Sequence, residues 1–246
     1  MQPEKKQLEI VLIDYFRRSY TDFPKGRVVS SESPDFWVRM KSKNVIGIEL
    51  TRLNPANAIP PDDQRTQEIL FRDKLILNAK EIFERNSEIK LLIKVLFSDT
   101  EKIGSERAMS VSVRLAGLIR NAIVTNKRDV FKRVLLSKDA LPDGLEEVLV
   151  IQHPKLKTAI WERSNNLGIS NDVVDDIWQA IRKKDEKLRL YQKNHLNYYW
   201  LLITTDFLRG VKSFNLHNKI MNHRFESRFQ HVFLFDLIKA KVFELV

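Results

Sequence analysis

Ser33-Pro34-Asp35-Phe36-Trp37-Val38-Arg39-Met40, a polar break at Lys41-Ser42-Lys43-Asn44, then Val45-Ile46-Gly47-Ile48-Glu49-Leu50-Thr51-Arg52-Leu53 is the stretch that decides how this 246-residue chain folds. The first run has strand composition, opened by a proline. The second is rich in β-branched and aliphatic residues, so the two predict antiparallel strands joined by a short turn. Side chains alternate along a strand. Asp35, Trp37 and Arg39 therefore share one face of the first strand. Gly47, Glu49 and Thr51 share one face of the second, while Ile46, Ile48 and Leu50 point the other way.

Register decides whether the two acids meet. Directly opposed residues of an antiparallel pair project to the same face. Asp35 and Glu49 share a face only if the loop holds an odd number of residues centred on Ser42 or Lys43. Asp35 then opposes Glu49 or Thr51. A two-residue turn at Ser42-Lys43 would instead set Asp35 against Leu50 and separate the acids, unless a bulge intervened. Carboxylates held that close repel, and one pKa rises unless a cation sits between them. Oxygen-only ligands suit a hard divalent ion, Mg²⁺ or Mn²⁺. Such an ion can polarise a phosphodiester and acidify a water. Gly47, on the same face, is expected to leave room for a bulky substrate.

Outward from the hairpin, Leu8, Val11, Leu12, Tyr15 and Phe16 mark one face of a helix, closed by Asp22-Phe23-Pro24-Lys25-Gly26. Arg27 to Ser30 is a short strand. After a loop at 54–61, Asp62 or Asp63 caps a helix running to about Asn86. Ile89 to Phe97 is an apolar strand, 106–124 a helix, and Val148 to Gln152 a short apolar run. Ser170 or Asn171 caps a long helix with Val174, Ile177, Trp178, Ile181 and Leu188 on one side. Tyr198 to Thr205 and His231 to Leu237 are further strands. Strands alternating with helices predict an α/β domain with a mixed sheet flanked by helices, and no linker or repeat divides it, so residues 1–246 are read as one domain.

Composition narrows the function. Hydrophobic residues make up 43% and charged residues 30%, a globular balance rather than a disordered one. Lys and Arg number 42 against 32 acids, and the resulting +10 suits a polyanionic partner. The chain has no cysteine, which excludes disulfides, thiolate metal sites and a cysteine nucleophile. No P-loop, G-x-S-x-G or dinucleotide fingerprint occurs. No apolar run approaches the roughly 18 residues of a membrane span. The N-terminus lacks the apolar run of a signal peptide, and a cytoplasmic location is expected.

Pro34-Asp35 followed by Glu49-Leu50-Thr51, after an N-terminal helix, resembles the PD-(D/E)xK nuclease superfamily. Its restriction-endonuclease-like core runs helix, three strands, helix, strand, an order matched here by residues 8 to about 97. The Lys-rich helix Ile181 to Tyr191 and the strand Trp200 to Ile203 resemble later elements of some members. The resemblance implies metal-dependent hydrolysis of DNA. Asp35 and Glu49 would hold Mg²⁺ or Mn²⁺, joined by the Leu50 carbonyl and by Glu9 of the first helix. It also departs from the family, because Thr51 stands where the motif has lysine. A threonine hydroxyl can orient water but carries no charge. Lys74, Lys80 and Lys94 are candidate substitutes, though each is read first as a surface lysine. The alternative is a binding module of the same fold that no longer cuts. The implied partner is DNA, with RNA a second option. Restriction-type enzymes often pair, so a homodimer is allowed.

Two basic stretches remain. Arg114 to Lys138 holds seven Lys/Arg and one acid, and Arg182 to Lys193 holds six and two. Lys183, Lys184 and Lys187 follow an apolar helical face, are expected to project outward, and are the preferred phosphate contacts. Tyr198, Tyr199 and Trp200 have the chemistry to stack on bases, but strand placement favours the core. His153, before Pro154, is read as structural.

Overall fold

The computed structural model describes residues 3–53, 62–123, 130–164, 172–206 and 216–246. The loop at 54–61, Lys127 and Arg128 of the first basic stretch, and Ser170 and Asn171 lie outside the described residues. The protein is α/β, with two mixed sheets flanked by helices. Read from sequence as one domain, the chain divides into two compact units. One comprises Met1–Val11 and Pro60–Asn166, the other Leu12–Ile59 and Leu167–Val246.

The second unit carries the diagnostic hairpin. Helix α1 (Pro3–Ser19) enters it from Leu12 onward and is followed by β1 (Gly26–Ser30), β2 (Phe36–Met40) and β3 (Val45–Arg52). These strands form an antiparallel meander. Helix α4 (Val173–Tyr191), strand β8 (Tyr198–Thr205), the short helix α5 (Leu216–Met221), β9 (His231–Asp236) and β10 (Lys241–Glu244) complete the unit. The sheet order is β1-β2-β3-β8-β9-β10, with β3, β8 and β9 parallel and β10 antiparallel to β9. Parallel strands are covered on both faces, which is why β8 reads as an unbroken apolar run. On one face Tyr15 and Phe16 of α1 pack on Phe235 and Phe233. On the other, Ile177, Ile181, Leu188 and Tyr191 of α4 cover Leu201, Ile203 and Val232. Tyr199 and Trp200 are buried, as the core placement required, and Tyr198 is exposed.

The β2–β3 register is the one that unites the acids. Phe36 opposes Ile48, Trp37 opposes Gly47 and Val38 opposes Ile46. Continued by one step beyond the start of β2, that register would set Asp35 opposite Glu49. The loop is the three residues Lys41 to Lys43, closed by a Met40 N–H to Asn44 carbonyl bond of 3.0 Å. Lys43 adopts the left-handed conformation (φ 69°) that such a three-residue connection uses. The odd loop, centred on Ser42, is the parity the two-acid face demanded.

The first unit holds α2 (Asp63–Glu84), β4 (Leu91–Phe97), α3 (Ala108–Ala122), β5 (Lys132–Ser137), β6 (Leu145–Gln152) and β7 (Ile160–Arg163). Asp62 caps α2 by accepting from the Arg65 N–H at 2.8 Å. Strand order is β5-β6-β4-β7, with only the β4–β7 pair parallel. Helices α2 and α3 bury Leu75, Ala79 and Phe83 with Val111, Leu115 and Ile119 against Ile93, Val95 and Val150 of the sheet. This corrects the expected core of residues 8 to 97. Strand β4 does not join β1–β3, and the partner β3 finds is β8. Strands β5, β7 and β10 were not anticipated. The cap of α4 is Asp172, which accepts from the Val174 and Asp175 N–H groups, in place of Ser170 or Asn171.

Gly47 does not open space for substrate. A Cβ there would lie 2.6 Å from Pro34 Cγ and 2.7 Å from Leu196 Cδ1, so its face is already filled. Gly47→Ala is expected to destabilise the protein by about 1–3 kcal/mol through overpacking. Urea unfolding measures this, and an unchanged midpoint would mean that Pro34 and Leu196 yield freely.

Candidate active site

Asp35 sits just before β2, and its Oδ2 accepts the Leu50 backbone N–H at 2.8 Å. At the end of the hairpin this carboxylate takes a ladder donor that β2 no longer reaches. Glu49 lies mid-strand on β3 and is 6% exposed. Its Oε1 accepts Lys184 Nζ at 2.6 Å and the Tyr191 hydroxyl at 2.8 Å. Both donors come from α4. A spacing of seven residues returns a helical side chain to the same side, and Ile177, Ile181, Lys184, Leu188 and Tyr191 form one inward stripe spaced by four, three, four and three. The lysine occupies a core position in that stripe, with its side chain 15% exposed.

Electrostatics explain why a charge is tolerated there. A carboxylate is buried at small cost only when it is paired and hydrogen-bonded. The Lys184 ammonium and the Tyr191 phenol meet both requirements. Burial first, then the neighbouring Glu49 charge and its hydrogen bond, and then Asp35, hold the Tyr191 phenol well above its ordinary range. Tyr191 therefore stays protonated and donates. The Tyr191 hydroxyl bonds Glu49 directly, and the N–H that Asp35 accepts belongs to the next residue of β3, Leu50. Beyond α4, Asn194 donates to the Ser33 carbonyl at 2.6 Å and ties the end of that helix segment to the loop bearing Asp35.

The expected site residues separate into two groups. Asp35, Glu49, Leu50 and Thr51 lie together on the hairpin. Thr51 is half-buried, and its carbonyl accepts a 3.4 Å bond from Thr204. Glu9 groups with the other unit and is paired with Lys6 at 3.4 Å and Lys5 at 4.0 Å. Lys74, Lys80 and Lys94 also belong to that unit, where Lys94 is 2% exposed and bonded to Glu162 at 2.6 Å. The cation beside the motif glutamate is Lys184. Its expected outward orientation is thus overturned, whereas Lys183 and Lys187 are exposed as expected. The sequence did hold a signal, a lysine at a core position of the α4 stripe. Tyr191 continued that stripe and was read only as part of the helix. His153 is buried, and its Nδ1 accepts the Lys155 N–H at 3.1 Å, a structural role.

Among the described residues no group of three or more His, Asp or Glu side chains is placed to hold a metal. Two carboxylates with a backbone carbonyl remain an apt donor set for Mg²⁺, which usually takes one or two carboxylates and completes its shell with water and phosphate oxygens. No helix among the described residues is long and apolar enough to cross a membrane. No family model, curated protein or solved structure matches the chain.

The Glu49–Lys184 pair also supports stability. Lys184→Met strands a buried carboxylate and is expected to cost about 2–4 kcal/mol, and adding Glu49→Gln is expected to restore part of it. A double-mutant cycle by urea unfolding should return a coupling of about 1–3 kcal/mol. Additive single effects would mean the pair contributes nothing to folding.

Proposed function

We propose that the second unit is a metal-dependent phosphodiesterase of the PD-(D/E)xK kind, acting on DNA. The observation that carries this reading is the Lys184 ammonium on Glu49, next along β3 to the Leu50 N–H that the Asp35 carboxylate accepts. Within the second unit, the order of α1 from Leu12 onward, β1, β2, β3, α4 and β8 has the same sequence of helix, three strands, helix, strand as a restriction-endonuclease-like core, and it supports the same reading.

Asp35 and Glu49 would hold Mg²⁺ or Mn²⁺ with the Leu50 carbonyl. Once bound, the ion would polarise the phosphodiester and acidify water. Lys184 supplies the positive charge that Thr51 cannot. Hydrolysis concentrates negative charge on the phosphate oxygens, and a fixed ammonium in a poorly hydrated site stabilises it more than one in bulk water would. Tyr191 is a positioning residue that holds the Glu49 carboxylate through Oε1. Lys183 and Lys187, exposed one turn apart on α4, contact the phosphates of the polymer.

Asp35→Asn and Glu49→Ala are each expected to abolish Mg²⁺-dependent cleavage of plasmid and single-stranded DNA. Lys184→Met should lower the rate by about 10²–10³-fold. The double variant Lys183→Ala/Lys187→Ala should instead weaken binding and flatten its salt dependence by roughly two phosphate contacts. Cleavage that survives Glu49→Ala sinks the assignment. Salt-sensitive binding with no cleavage of DNA or RNA in any divalent metal would select the binding module.

A further inference from the structure

Glu49 Oε1 is doubly engaged, by Lys184 Nζ at 2.6 Å and by the Tyr191 hydroxyl at 2.8 Å. A carboxylate oxygen offers about two lone-pair directions, so these two donors saturate it. Asp35 likewise has Oδ2 committed to the Leu50 N–H. The two acids and the ammonium leave one formal negative charge, two minus one, in a locality where Glu49 and Tyr191 are each 6% exposed. A divalent cation entering there meets a positive charge at close range with little water to screen it.

We propose that Lys184 is a resident competitor for the divalent ion, its fixed ammonium contending with the metal for the Glu49 carboxylate whose Oε1 it occupies. The inference rests on the reading of Asp35 and Glu49 as metal ligands and goes beyond it. The lysine that serves turnover also sets how tightly the site holds its ion. The two roles are compatible because the side chain that gives up Glu49 keeps its charge and is then drawn to the anionic phosphate. The balance predicts weak ion binding by the protein alone and tighter binding once a phosphate gives Lys184 another partner. Tyr191 differs from Lys184 in kind. Its phenol is neutral, so it anchors the carboxylate without opposing a cation.

The test is a titration of Mn²⁺ alone into the full chain, followed by electron paramagnetic resonance or calorimetry, with no nucleic acid present. Lys184→Met and Lys184→Gln should each bind Mn²⁺ about tenfold more tightly than the parent, since each removes the repelling charge. Tyr191→Phe, which removes a neutral donor to Oε1 but no charge, should fall short of the roughly tenfold gain of the Lys184 variants. Lys184→Gln keeps an N–H donor for Glu49 and decides the matter if Lys184→Met fails to fold, as judged by circular dichroism and melting. Unchanged or weaker Mn²⁺ binding in the Lys184 variants, with binding lost in Glu49→Gln, would overturn the competition and leave the metal-ligand reading standing. Mn²⁺ binding as tight in Glu49→Gln as in the parent would overturn both.

Discussion

A carboxylate held under a helix must bring its own partners or remain in water, and that constraint organises the second unit. Glu49 faces α4, on the side of the sheet where Leu201 and Ile203 are buried by Ile177, Ile181 and Leu188. The helix can seal that face only by presenting a cation and a hydroxyl at the right places in its apolar stripe. Lys184 and Tyr191 are those groups. The sheet register, the helix phase and the charge balance therefore depend on one another. A slip of one residue in the hairpin would send Glu49 to the opposite face, beside Phe36 and Val38 and away from Lys184.

The chain reaches this arrangement by a long detour. Strand β3 ends at Arg52, and its parallel neighbour β8 begins only at Tyr198. Between them lie α2, β4, α3 and β5 to β7, which close on a hydrophobic core of their own. Loop-closure entropy grows only slowly with length, so a segment that folds on itself can stand between two pairing strands at modest cost. The lysine that bonds Glu49 accordingly arrives on α4, far along the chain from that glutamate. A short motif around Glu49 could not contain it.

The hairpin was the most legible part of the protein. Alternation is a property of a few consecutive residues and gave both strands, while the choice among the loops centred on Ser42, on Lys43 or between them fell to the structure, which has the one centred on Ser42. Helix α2 and its Asp62 cap, the α4 stripe and the buried run of β8 were legible for the same local reason. The short strands β5, β7 and β10 escaped because four to six residues of mixed polarity carry little periodic signal. The room expected at Gly47 was misjudged because Pro34 and Leu196, which fill it, come from separate segments.

By itself the sequence determined the α/β class, the strand alternation that allows Asp35 and Glu49 one face if the loop is odd, and the basic surplus, since each follows from residue type and short-range spacing. Only the tertiary structure decided that β3 pairs with β8 rather than β4, that residues 8 to 97 are divided between two sheets, and that Lys184 turns inward while Lys183 and Lys187 stay outside. Strand partners are chosen by burial summed over a whole face. The direction a lysine takes from an amphipathic helix depends on whether a buried carboxylate awaits it, and that carboxylate lies on another element.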